Sequence, residues 1–264
     1  MNYFTRSASW LFRTVTLALT VFSLSHIDAA YAQTSAKNIV LVHGAFADGS
    51  GWEGVYDILT SRGYTVTIVQ NPLTSLDDDV AAVNRALARQ NGPTVLVGHS
   101  WGGSVITQAG GSPKVVSLVY VNAYQPDAGE TTLQWAMSAP PAPENGILPP
   151  DEAGFIYYSQ AKFHAGFCAD VSKEKAAFMY ASQSPVAAKC FGVPLTQAAW
   201  KTKPAWAVLA RDDKSITPDI QRKMYQRSGT AVTEIRGSHV VFIAQPKAVA
   251  DVIEAAARGA GRKL

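Results

Sequence analysis

Residues 94–103 read TVLVGHSWGG, and the interpretation of this stretch decides the fold. TVLV is a short run of β-branched and aliphatic residues without polar alternation, the pattern of a strand buried on both faces. It runs directly into Gly98-His99-Ser100-Trp101-Gly102, which satisfies G-x-S-x-G. Between a strand and a helix, that motif forms a turn so sharp that the serine hydroxyl is lifted clear of the sheet end. A helix predicted over 101–109 then points its positive end at the serine, where it favours negative charge developing during a reaction.

Working outward, the same alternation recurs on both sides. Upstream, NIVLV at 38–42 is a second apolar run, ending in His43-Gly44. Helical spacing is predicted over 52–62, with Trp52, Val55, Tyr56 and Leu59 on one face and Gly63 as the stop. A strand is predicted over 64–69 and a helix over 76–90. The acids Asp77, Asp78 and Asp79 near that helix's start suit the dipole there rather than a metal site. Downstream come strands at 115–121, 205–210 and 231–235, and helices at 217–227 and 246–258. Strands alternating with helices imply right-handed crossovers and a mostly parallel α/β sheet flanked by helices. The alternation lapses over about 125–200. This stretch holds five prolines between Pro140 and Pro150 and many aromatics, including Trp135, Phe155, Phe163 and Phe167. Aromatic density argues against disorder, so a helical cap inserted into the sheet domain is expected.

The first 32 residues read separately. Arg6 and Arg13, an apolar run from 14 to 24 and Ala30-Tyr31-Ala32 form the three parts of a secretory leader. The run is shorter than the ~20 apolar residues of a spanning helix. A cleaved signal peptide ending at Ala32 is therefore expected, with a periplasmic or secreted protein from Gln33 onward and no stable membrane anchor. A formal charge of +3, carried by scattered Lys and Arg, excludes a nucleic-acid footprint. The two cysteines, Cys168 and Cys190, either pair in an oxidising compartment or lie buried as free thiols. Neither has the neighbours of a catalytic thiol.

A serine hydroxyl needs a base to take its proton. Of the five histidines, His26 lies in the leader, His43 and His99 read as loop-bracing and packing residues, and His164 lies in the cap. His239, in Gly237-Ser238-His239 between the last strand and the last helix, is the base by position. Its imidazolium calls for a carboxylate. Asp212 and Asp213, just after the strand at 205–210, compete for that role, and Asp127 is a third candidate. The oxyanion of a tetrahedral intermediate needs two N–H donors. The amide of Trp101 is one, and that of Ala45, in the loop opened by Gly44, is the other. Phe46, Trp135 and His164 are candidate substrate contacts. No metal and no cofactor is implied.

These motifs resemble those of the α/β-hydrolases, and in particular the plant methylesterase and hydroxynitrile lyase branch with its small bacterial relatives. Val42-His43-Gly44-Ala45-Phe46 with Gly51-Trp52, Gly98-His99-Ser100-Trp101-Gly102-Gly103, Asp213-Lys214 with Gln221-Arg222, and Gly237-Ser238-His239 with Gln245-Pro246 are similar to its signature segments. The resemblance implies that the Asp preceding the basic residue, Asp213, is the triad acid. Lyases of this type carry Lys directly after the catalytic His, whereas Val240 stands here. The dehalogenases of the superfamily use Asp where Ser100 stands. The implied activity is hydrolysis of small carboxylic esters. C–C bond hydrolysis, lactone opening and cofactor-free perhydrolysis on the same triad are alternatives, as is a non-catalytic binding protein on this fold. The oligomeric state is not legible.

Overall fold

The computed structural model describes Met1 and residues 35–259. The expected leader lies outside the described residues. Six strands form one sheet: β1 (Asn38–Val42), β2 (Thr65–Val69), β3 (Thr94–His99), β4 (Val115–Val121), β7 (Ala205–Ala210) and β8 (Ala231–Ile235), in the order β2-β1-β3-β4-β7-β8. Every pairing in it is parallel. The central strands β1 and β3 are buried along their whole length, which is why their sequences are continuous apolar runs. The second strand and the last, β2 and β8, lie at the edges and carry exposed Thr65, Thr233 and Glu234.

The crossovers are helical: α1 (Glu53–Ser61), α2 (Leu76–Ala88), α3 (Gly102–Ala109) and α8 (Pro218–Ser228); after the last strand come the short α9 (Val241–Ala244) and the closing helix α10 (Pro246–Arg258). Each begins or ends where its local chemistry dictates. Ser75 caps α2 by accepting from the Asp78 N–H. The last turn of α8 closes on Gly229 at φ +66. Both α8 and α10 open on a proline, whose missing N–H costs nothing in a first turn. Val249, Val252, Ile253, Ala256 and Ala257 of α10 form its buried stripe.

The segment from about 125 to 200 is not purely helical. It contains α4 (Thr132–Ala136), α5 (Gln160–Phe167), α6 (Lys173–Ala181) and α7 (Lys189–Gly192). A small antiparallel pair, β5 (Phe155–Ile156) with β6 (Val186–Ala187), joins them. Two-residue strands carry too little periodicity to be read from sequence. The insertion is tied down at separate points. Ala187 N–H donates to Leu73 O (2.9 Å), Ser215 Oγ to Gly166 O (3.0 Å), and Trp200 Nε1 to Pro126 O (2.9 Å). Its core is the aromatic group Tyr158, Phe163 and Phe167, each about 1% exposed. Among the described residues no helix is long and apolar enough to cross a membrane.

Cys168 and Cys190 are both buried and free. Cys168 Sγ points at Phe163 O and Cys190 Sγ at Leu73 O, and burial pushes each thiol up to about 12. Of the two readings, buried thiols are what the structure holds.

Candidate active site

Ser100 adopts φ +53, the left-handed conformation that a non-glycine residue takes only when its surroundings enforce it. Here the enforcement is hydrogen bonding on both sides. The Ser100 N–H donates to Val121 O, and its carbonyl accepts from Gly103 and Tyr124 N–H. The flanking glycines are sterically required. A Cβ on Gly98 would lie 2.5 Å from Gly102 O, and one on Gly44 would lie 2.7 Å from Ser100 Cβ. The second contact shows how closely the loop after β1 approaches the serine. Among the described residues, the amides of Ala45 and Trp101 donate to no protein acceptor, so both N–H groups are available at that approach.

The carboxylate that meets the histidine is Asp213. Its Oδ2 accepts from His239 Nδ1 (2.8 Å) and from Gln221 Nε2 (2.9 Å). Its Oδ1 accepts from the N–H groups of Ser215 (2.8 Å) and Ile216 (3.0 Å). Asp213 and His239 are each 1% exposed. Four donors on this buried carboxylate fix it in place. The neighbouring Asp212 turns outward to Arg236, and Asp127 pairs with Lys201. The Asp213 bond at Nδ1 leaves Nε2 of His239 without a hydrogen-bond partner among the described residues.

The loop bearing His239 is clamped from two sides, by residues the sequence did not single out. From the sheet, Asn122 Nδ2 donates to Ser238 O (3.1 Å) and His239 O (2.9 Å), while its Oδ1 accepts from Ala210 N–H (2.7 Å). Asn122 follows β4 at φ +44, a conformation asparagine tolerates better than most residues. From the insertion, Asp170 accepts from Ser238 N–H (2.7 Å) and from the Ser238 hydroxyl. Phe167 lays its ring 5.2 Å from that of His239.

His43 and His99 brace the site as expected. His99 Nε2 donates to His239 O (3.0 Å), and burial holds its pKa well below the usual histidine value. His43 Nε2 accepts from Asn71 N–H (2.8 Å) and its Nδ1 donates to Gly44 O (2.8 Å), with burial again lowering its pKa. Both rings are therefore neutral. The indole of Trp101 is fully buried and its N–H is engaged by Asp79 Oδ2 (2.7 Å).

Of the three expected substrate contacts, Phe46 packs against Phe167 (6.3 Å), whose ring meets that of His239, and against Tyr158 (5.6 Å). It lines a small cleft with Ser50, Lys175, Phe178, Val240 and Phe242. Trp135 lies elsewhere: its N–H donates to Glu130 and Arg227 stacks on its ring. His164 bonds Val171 O within the insertion. Neither Trp135 nor His164 contacts Ser100, His239 or Asp213. Among the described residues no group of three or more His, Cys, Asp or Glu side chains is placed to hold a metal ion.

The chain matches the Alpha/beta hydrolase family over residues 39–252 and belongs to that family. Among individual proteins, it is 27% identical over 248 residues to a pyrethroid hydrolase of Sphingobium wenxiniae, covering 83% of this chain and 87% of that one. It is also 27% identical over 177 residues to a carbendazim hydrolyzing esterase of a Nocardioides species, covering 62% of this chain and 65% of that protein. Solved structures of similar fold include a pyrethroid hydrolase from Sphingobium faniae (TM-score 0.72, 24% identity, 84% and 97% covered). Another is polyneuridine aldehyde esterase (TM-score 0.72, 18% identity, 83% and 98% covered).

Proposed function

We propose that this protein is a serine esterase acting on small, largely apolar carboxylic esters. In this reading His239 Nε2 takes the proton from Ser100 Oγ as the hydroxyl attacks the ester carbonyl. Asp213, bonded to Nδ1, holds the ring in the tautomer that can accept it and offsets the resulting positive charge. The N–H groups of Ala45 and Trp101 hold the oxyanion. His239 then gives its proton to the leaving alcohol, and water releases the acyl group from Ser100 by the same steps. The cleft beside Phe46 and Val240 is the route by which the apolar part of the substrate reaches the site. The names of the hydrolase relatives point the same way.

One observation carries the proposal: the chain holds both a serine forced to φ +53 in a G-x-S-x-G turn and a histidine whose Nδ1 is bonded to a buried carboxylate that accepts from four donors. Structural packing requires neither the strain nor the buried carboxylate. A chromogenic short-chain ester assay tests it. Wild type turns the ester over and Ser100→Ala loses at least ~10³-fold in kcat. No turnover by a folded wild type, across a panel of esters and lactones, would remove the esterase reading.

The leader belongs to the same proposal: cleavage after Ala32 places the enzyme in the periplasm or outside the cell. Amino-terminal sequencing of the protein recovered from bacterial culture should begin at Gln33.

A further inference from the structure

The acidic run Asp77-Asp78-Asp79 divides in the structure. Asp77 and Asp78 face solvent at the start of α2, where the dipole argument accounts for them, and Ser75 already caps that helix. Asp79 is different. It is 0% exposed, forms no ion pair with Lys, Arg or His among the described residues, and accepts two hydrogen bonds: Leu73 N–H on Oδ1 (2.8 Å) and Trp101 Nε1–H on Oδ2 (2.7 Å). Burial pushes its carboxyl up to about 6, against the pull of those two bonds. Burying a carboxylate without a cation is expensive, and a helix start does not require it.

What it holds lies next to the nucleophile. Trp101 follows Ser100 directly. Its indole is pinned by Asp79 at the N–H and by the Phe191 ring 5.2 Å away. Since the backbone and side chain of one residue share a Cα, fixing the indole fixes the direction of the Trp101 N–H. The other partner, Leu73, sits at φ +58, and its carbonyl accepts from Ala187 N–H and Cys190 Sγ, both in the insertion.

We infer that Asp79 is a positioning residue that aims the Trp101 amide at the oxyanion through the indole, and that it couples this aim to the insertion's anchor at Leu73. The inference rests on the proposed role of Trp101 as oxyanion donor. An amide misaimed in this way weakens binding of the transition state and leaves ground-state binding intact, so the loss falls on kcat.

The test is a double-mutant cycle on the purified protein, using Asp79→Asn, Trp101→Phe and the double variant. Trp101→Phe keeps an aromatic ring and deletes the N–H that reaches Asp79 together with part of the buried indole. Ester kinetics are read alongside thermal melts that establish folding at the assay temperature. Each single variant should lose about 10- to 10²-fold in kcat, with KM within about twofold, less than the ~10²–10³ for outright loss of a donor. The double variant should be no worse than the weaker single, because both act through one bond. Full kcat in a folded Trp101→Phe protein overturns the inference, as do additive losses in the double variant or an effect confined to KM. Should Asp79→Asn fail to fold, Trp101→Phe alone decides. Turnover surviving Ser100→Ala would instead sink the esterase reading, so the two failures are distinguishable.

Discussion

Replacing Asn122 by alanine is expected to damage both stability and turnover, by amounts the hydrogen bonds set. The asparagine is 0% exposed and serves three partners: Ala210 N–H, Ser238 O and His239 O. After truncation His239 O keeps its bond from His99 Nε2. Ala210 N–H and Ser238 O each lose the side-chain partner that satisfied them. A buried polar group left unpaired costs ~1–3 kcal/mol, so two such groups cost roughly 2–6 kcal/mol. The alanine must also hold φ +44, adding about 1 kcal/mol of strain. At ~3 kcal/mol, the low end of that sum, Tm should fall by roughly 6–12 °C for a domain of this size. The activity loss has a separate origin: with its carbonyl held from one side, His239 can drift, and a misplacement near 1 Å costs about 10²-fold. Asn122→Asp is the sharper companion, because it keeps the bond to Ala210 but turns a carboxylate oxygen toward two carbonyl oxygens. It should be worse than alanine in kcat. Thermal melts and ester kinetics on the same preparations read both effects. An Asn122→Ala protein melting within about 2 °C of wild type with unchanged kcat/KM would refute the reasoning.

Three other outcomes follow from the same contacts. Asp170→Ala should lower kcat by roughly 3- to 10-fold by freeing Ser238, while Asp170→Asn, which can still accept from the Ser238 N–H and bond its hydroxyl, should restore most of it. An alanine variant as fast as wild type would remove Asp170 from the clamp. Glu130 provides a pH signature. Desolvation opposes its ionisation, but bonds from Arg227, Asp127 N–H and Trp135 outweigh this and hold its carboxyl down to about 2, against an ordinary value of 4.5. Because the folded value lies below the unfolded one, its stabilisation is present above pH 4.5 and lost as pH falls toward 2. The Tm gap between wild type and Glu130→Gln should therefore close over that window, and a gap independent of pH would contradict the assignment. The cysteines give a third outcome: both thiols should resist Ellman's reagent in the native protein and react on denaturation without reductant. Failure of either to react in denaturant would reveal a disulfide.

How much of this the sequence disclosed depends on whether the information is local. The strands at 38–42, 115–121 and 205–210 and the closing helix at 246–258 emerge with the bounds expected, because burial on both faces of a sheet leaves a continuous apolar run and burial along one helix stripe a periodic one. The nucleophile turn was equally legible, since its glycines answer to steric contacts within a few residues. The choice between Asp212 and Asp213 was not local: spacing left both open, only the resemblance selected one, and the structure brings Asp213 to His239. Asn122, Asp170 and Asp79 left no signal that chain position could decode, because the partners of the first two lie 88 to 117 and 68 residues away and the indole that Asp79 engages lies 22 residues away. The acidic run at 77–79 read uniformly as helix-start charge, yet its third member is buried. Trp135 and His164 are chemically suggestive side chains whose partners in the fold are Glu130 with Arg227 and the Val171 carbonyl.

The central claim is that Ser100 becomes nucleophilic because His239, held by Asp213, takes its proton. Labelling with a fluorophosphonate and locating the adduct by peptide mass spectrometry tests this most directly. The account predicts a single phosphonylated peptide containing Ser100, with labelling abolished in a folded His239→Ala variant. A label on another residue, or undiminished labelling of Ser100 without the imidazole, would contradict it.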